Sequence, residues 1–223
     1  MRIKNDGKAQ LKRQLGSLYG ITPEEEYAID TVYDETLERL DHSFSRISNK
    51  YYRQDGETIF DPLHNAQWTM FLYEISRVLF LRSKEERTLC DKLYSLSKAV
   101  SAVDLFYEVR LPSIWFCDHP QASVLGRAEY GDYLSFAQGC TVGNNKGRHP
   151  ALGEHVILYS GAKILGNCHA GDHVIFAANA FVMDLDIPSY SLVYGQHPDN
   201  TIVPISKEKF MQLESAVFIQ EPG

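Results

Sequence analysis

The spacing of apolar residues changes partway along the chain. Residues 1–20 are polar and aperiodic, which predicts a polar tail or arm. Thr22 can cap a helix, Pro23 suits its first position, and Glu25 completes a capping box. A second helix is expected from near Asp61-Pro62, with Trp68, Leu72, Ile75 and Leu79 as its apolar stripe. A third is expected from Ser83, with Glu86 as its capping-box partner and Leu89, Leu93, Leu96, Val100 and Val103 as its stripe. Spacings of three and four place each stripe on one helical face. Residues 21–103 therefore read as an α-helical domain.

From Val124 the period is six. Apolar or bulky residues stand at Val124, Tyr130, Phe136 and Val142, then at Leu152, Leu158, Ile164, Ala170, Phe176 and Val182. The fifth place of these hexads holds Ala128, Leu134, Cys140, Val156, Ala162, Cys168, Val174 and Ala180, which are mostly small or compact. Such a period fits neither a helix nor one continued strand. It fits a chain that turns a corner every six residues and stacks triangular coils of about eighteen. The fold class expected is α+β: the helical domain, then a left-handed parallel β-helix (hexapeptide-repeat solenoid) over residues 104–204, then a C-terminal tail over 205–223. The register breaks once. Ten residues separate Val142 from Leu152 where six belong, so four are surplus within Asn144–Pro150. A solenoid accommodates such a surplus as a loop leaving a corner, and loops on rigid scaffolds commonly carry function. This one holds Arg148 and His149.

Length and charge narrow the partners. With 223 residues and 44% hydrophobic content, the chain can bury one large core or two smaller packed ones. Its net charge of -7, without a long basic block, argues against nucleic acid or an anionic membrane surface. The segment MRIKNDGKAQLKRQLG lacks the apolar run of a signal peptide, and nothing approaches the roughly 20 apolar residues of a membrane span. A cytoplasmic location is expected. Cys90, Cys117, Cys140 and Cys168 form no CxxC pair, so reduced, partly buried thiols are expected.

The motifs in order are Asp118-His119, VLGRA, QGCTVG ending at Gly143, Gly147-Arg148-His149-Pro150, and SGAKILGN beginning at Ser160. Together they resemble the core of the bacterial serine acetyltransferases over about residues 60–204. That family also has an aspartate fourteen residues before the Asp118 position, which is Asp104 here. The resemblance implies acetyl-CoA as donor, a hydroxyl acceptor (L-serine favoured), and a place in cysteine biosynthesis. It implies His119 as general base, Asp104 as its orienting partner, and His149 and Arg148 reaching the acceptor from the loop. A neutral histidine whose other nitrogen meets a carboxylate suits proton removal from a hydroxyl. Arg148 can hold a carboxylate by a forked pair of hydrogen bonds, and Asp118 can meet an ammonium. The acetyl-CoA positions implied are Gly143, Ser160, Gly161 and Ala178, with Lys163 toward phosphate. The assembly implied is a homotrimer, which helical domains could pair into a hexamer.

The chain departs from the family on the acceptor side. Asn144-Asn145-Lys146 replaces a glycine-rich run, and His119 to His149 spans thirty residues. Asp61 and His64 are acceptor candidates on the helical side, with Asn65 and Gln67 beside them. A sugar acceptor in surface-polysaccharide synthesis is therefore an alternative. A more distant one is a metal-dependent β-helix carbonic anhydrase using His155, His169 and His173; the DH and RHP elements argue against it, and no metal is expected. His155 and His173, eighteen apart, should stack on one face. The remaining alternative is a non-catalytic scaffold.

Overall fold

The computed structural model describes residues 1–83 and 87–219. The first part is helical: α1 (Gly7–Leu18), α2 (Pro23–Phe44), α3 (Asn65–Arg82) and α4 (Arg87–Ser101). α2 starts as the sequence predicts. The Thr22 side chain accepts from the Glu25 N–H, and the Glu25 carboxylate accepts from the Thr22 N–H. α3 carries Trp68, Leu72, Ile75 and Leu79 into the core, and α4 does the same with Leu89, Leu93 and Leu96. His64, rather than Asp61-Pro62, is the cap of α3. Ser83 ends α3, its N–H bonding the Leu79 carbonyl, and Glu86 lies outside the described residues.

Both ends are corrected by the structure. Residues 1–20 are not a tail. Strand β1 (Arg2–Ile3) pairs with β3 (Glu57–Phe60), and α1 follows with Leu11 and Leu15 fully buried. Two leucines one turn apart suffice because α1 packs along existing helices rather than building its own core. The third strand of this small sheet is β2 (Arg53–Gln54), antiparallel to β3. In the expected C-terminal tail, Ser206 caps helix α5 (Lys207–Glu214), which buries Phe210 and Glu214. Residues 220–223 lie outside the description.

The second part is a parallel β-helix with three faces. The first face stacks β4 (Asp104–Leu105), β6 (Val124–Leu125), β9 (Thr141–Gly143), β12 (Lys163–Leu165) and β15 (Phe181–Met183). The second stacks β5 (Trp115–Cys117), β8 (Leu134–Phe136), β11 (Ile157–Leu158), β14 (Val174–Phe176) and β17 (Ser191–Tyr194), closed by antiparallel β18 (Thr201–Pro204). The third stacks β7 (Glu129–Tyr130), β10 (Ala151–Leu152), β13 (His169–Ala170) and β16 (Asp186–Ile187). Three edges join the faces. Edge I runs from second to first face, through 118–123, 137–140, 159–162 and 177–180. Edge II runs from first to third, through 126–128, 144–150, 166–168 and 184–185. Edge III runs from third to second, through 131–133, 153–156, 171–173 and 188–190.

The register confirms the hexads in the middle and amends them at the start. Ile164 pairs with Val182, and Ile157 with Ile175, both eighteen apart. Across the surplus loop the step becomes twenty-two, as Thr141 pairs with Lys163. In the first coil it is seventeen: Leu125 pairs with Val142. Leu125 is therefore the inward residue, 1% exposed, and Val124, expected inward, is 40% exposed. Outside the second face, Ile157 and Ile175 pack against Phe210 of α5, so that face is covered on both sides.

Candidate active site

His119 sits at the first corner of Edge I. Its φ of +46° is a left-handed conformation uncommon for a side-chain-bearing residue, and its ring is 81% exposed. The Asp118 carboxylate lies 3.8 Å from its Nε2. The start of α3 comes up beside this corner. The Gln121 amide donates to the Asn65 Oδ1 at 3.4 Å. His64, capping α3, feels the charges of Asp118, Asp61 and His119; burial outweighs the carboxylates and holds its imidazole below the usual range. Its ring stands 5.6 Å from that of Tyr51 and 5.7 Å from that of Tyr52.

Asp104 does not take the His119 ring in this structure. It lies on β4, where its N–H bonds the Ser123 carbonyl at 2.9 Å. Its carboxylate accepts from the Tyr94 hydroxyl at 2.6 Å and from the Lys98 ammonium at 3.1 Å. Those partners come from the last turns of α4, a pairing that the sequence reading missed. Asp61 is likewise engaged in structure: its Oδ1 accepts from the Asn5 side chain and the Leu63 N–H. Gln67 is buried, accepting from the Asp61 N–H and donating to the Tyr51 carbonyl.

The surplus loop leaves Edge II as a tight turn. Asn145 and Arg148 exchange backbone hydrogen bonds at 3.0 Å, with Lys146 and Gly147 at positive φ between them. Two central residues at positive φ make the turn type that glycine favours. The Asn145 amide donates to Asp184 in a later coil at 3.0 Å. The Asn167 N–H, the Asn145 amide and the nearby Arg148 and Lys146 charges hold the Asp184 carboxyl below the usual range. Arg148 and His149 are both exposed. Edges I and II are opposite margins of the first face, roughly 15–20 Å apart at about 3.3 Å per residue. One chain therefore does not bring Arg148 and His149 onto His119.

All but one of the implied cofactor positions gather on and beside Edge I. Ser160, Gly161 and Ala178 stand at its later corners, and Gly161 has φ +75° with the Asn179 side chain closing over it. Lys163 on β12 folds back over the edge, its ammonium donating to the Gly161 carbonyl at 3.1 Å. Gly143 is the exception: it ends β9 at the opposite, Edge II, margin of the first face.

No family model matches the sequence. A stretch of 116 residues is 33% identical to the serine acetyltransferase of Staphylococcus aureus, covering 47% of this chain and 54% of that protein. Another of 108 residues is 36% identical to that of Synechococcus elongatus, covering 46% and 44%. The chain thus spans about half the length of the curated relatives it matches. The solved serine acetyltransferase of Neisseria gonorrhoeae aligns with a TM-score of 0.71 at 20% identity, over 92% of this chain and 81% of that one. A serine acetyltransferase in complex with CoA aligns at 0.68 and 20%, over 88% and 83%.

The chain has the hexapeptide-repeat fold of the serine acetyltransferases.

Against that fold, the histidines of the carbonic anhydrase alternative have other work. Tyr133, His155, His173 and Tyr190 stack along Edge III with centroids 4.3 to 4.7 Å apart. His155 Nδ1 meets the buried Glu214 carboxylate at 2.5 Å. His169 pairs with Asp186 on the third face at 2.8 Å. Among the described residues, no group of three or more His, Cys, Asp or Glu side chains is placed to hold a metal. No helix among them is long and apolar enough to cross a membrane. All four cysteines are buried, and burial raises the thiols of Cys117, Cys140 and Cys168.

Proposed function

We propose that the chain transfers the acetyl group of acetyl-CoA to a hydroxyl, with L-serine as acceptor and His119 as general base. The observation that carries this reading is a solvent-facing histidine, directly after Asp118, on the small-residue edge of a serine acetyltransferase fold. His119 takes the proton from the acceptor hydroxyl as its oxygen attacks the thioester carbonyl. The tetrahedral oxyanion collapses, the C–S bond breaks, and the imidazolium returns the proton to the departing CoA thiolate. The low ledge of Ser160, Gly161 and Ala178 suits a long, thin donor lying along Edge I, and Lys163 offers a cation for its phosphates. Asp118 is the carboxylate for an acceptor ammonium. Asp104 is a positioning residue: held by Tyr94 and Lys98, it ties β4 to Ser123, four residues beyond His119.

The same reading requires more than one copy. Arg148 and His149 can meet the acceptor only if Edge II of one copy approaches Edge I of another, which a homotrimer of parallel prisms achieves. The expected cytoplasmic location stays part of the reading.

A sugar acceptor is the second reading, and one observation favours it. The exposed Tyr51 ring, paired with His64 at the start of α3 near the Asp118-His119 corner, offers a face for stacking a saccharide ring. The test offers purified protein and acetyl-CoA either L-serine or a nucleotide sugar and measures free CoA. Turnover on serine establishes the first reading; turnover on the sugar alone selects the second. No turnover on either removes both.

A further inference from the structure

A cavity lies away from Edge I, between the helices and the third face. Its volume is about 960 Å³, within the usual range for small-molecule sites. Its two sides differ in charge. The helical side contributes Arg39 from α2, Arg77 from α3, and Arg110 from the segment joining β4 to β5. The solenoid side contributes Glu129, Asp132 and Glu154. Glu38 and His42 complete the α2 wall.

The groups on the helical side are held in place. Arg77 Nη1 donates to the Tyr107 and Glu108 carbonyls at 3.0 and 3.4 Å, which leaves its remaining N–H groups for other partners. The Tyr73 hydroxyl donates to the Val109 carbonyl at 2.7 Å and accepts from the Leu111 N–H at 2.9 Å. Arg110 is therefore clamped by its backbone on both sides. Yet among the described residues its guanidinium makes no hydrogen bond or ion pair. Arg39 is steadied by the buried Glu74 at 3.2 Å, whose other oxygen accepts from the Trp115 indole at 3.0 Å. On the facing side, Asp132 is occupied, accepting from the Ser113 and Ile114 N–H groups and the Ser113 hydroxyl. Glu129 and Glu154 make no ion pair among the described residues.

We propose that this cavity binds a small zwitterion, its anionic group forked by Arg77 and Arg110 and its ammonium met by Glu129 and Glu154. Opposite charges that rigid walls keep apart are joined by a molecule carrying both charges at its two ends. Guanidinium groups suit carboxylate and phosphate alike through paired donors. The ammonium is what separates this ligand from a simple anion, which Glu129 and Glu154 would repel. The site stands apart from the acetyl-transfer reading and does not depend on it.

The test is a calorimetric titration of the full chain with γ-aminobutyrate and with phosphoethanolamine. Acetate, inorganic phosphate and ethylammonium are the singly functional controls. One zwitterion is expected to saturate one site per chain and to bind about tenfold or more tightly than its controls. The zwitterion that saturates tells whether the anionic end is a carboxylate or a phosphate. Arg110→Ala and the double variant Glu129→Gln/Glu154→Gln should each weaken binding about tenfold or more, while His119→Ala leaves it unchanged. Arg110 is exposed and unpaired, so its loss does not threaten folding; the melting temperature checks this. The proposal is overturned if neither zwitterion saturates, if the simple anions bind as tightly, or if Arg110→Ala binds as the wild type does.

Discussion

Edges I and III have the same backbone and opposite fates. Both turn their corners through left-handed residues: Gly139, Gly161 and Asn179 on Edge I, Tyr133, His155, His173 and Tyr190 on Edge III. On Edge III the corner side chains are rings, so successive coils stack them into a ladder. Phe210 and Phe218 close against it edge-on, and Glu214 bonds His155. On Edge I the corner side chains are small, so the ledge stays open and His119 faces water at its first turn. A solenoid gives every edge the same scaffold; corner residue size decides whether an edge is covered or left open to solvent. His119 and His155 show the difference within one residue type.

The largest expected effect separates those two histidines. His119→Ala should lower acetyl-CoA consumption about a hundredfold or more with an unchanged melting temperature. His155→Ala should do the reverse, keeping the rate and lowering the melt. A large rate loss from His155→Ala would break the division between edges. Arg148→Ala should come next, raising the KM for an acceptor carboxylate about tenfold or more, as expected for losing a charged, forked hydrogen bond. If the KM for acetyl-CoA moved instead, Edge II would belong to the donor. Phe210→Ala should destabilise the fold by about 3 kcal/mol, because a large ring is removed from a buried cluster; denaturant titration reads this.

The smallest effect is a pH dependence of Edge III. Burial, followed by the neighbouring His155 charge, lowers the His173 pKa below its usual 6.5, while Glu214 and Asp172 oppose the shift. Its Nδ1 is buried with no hydrogen-bond partner. The folded state thus binds fewer protons than the unfolded one. That part of the stability is present above the unfolded pKa and is lost as pH falls through the lower folded value. The melting temperature should fall more between about pH 7 and pH 5 in the wild type than in His173→Asn. An equal fall in both would place the sensitivity elsewhere, with His64 the next candidate because burial also lowers it.

How much of this was legible in the sequence depended on what each residue answers to. The hexads from Leu152 to Val182 were readable because every inward residue meets its equivalent one coil away, so period and packing coincide. Val124 misled because the first coil is one residue short and Leu125 takes its place. The capping box of α2 was readable because Thr22 and Glu25 are local to one another. The helical nature of residues 1–20 was not, since Leu11 and Leu15 gain their burial from distant helices. The Asp55-Gly56 pair, with both residues at positive φ, was an overlooked turn signal between β2 and β3. Ile157 and Ile175 were another: bulky residues at outward positions of the second face imply a cover, which α5 supplies. For the candidate site, motif order pointed to Asp118, His119, Arg148 and His149 but could not say that they lie on opposite margins of one face. That is a property of coil closure. The partners of Asp104 depend on where α4 ends against β4, which no local pattern encodes.

In the proposed reaction, Edge I and the Edge II loop act on one acceptor although a single chain holds them apart. Co-expressing His119→Ala chains with His149→Ala chains tests it in one measurement of acetyl-CoA turnover. In a mixed assembly, Edge I of a His149→Ala chain can meet Edge II of a His119→Ala chain, and that site has both histidines. The mixture is expected to regain a clear share of wild-type activity while each variant alone stays nearly inactive. A mixture as inactive as its parents would contradict it.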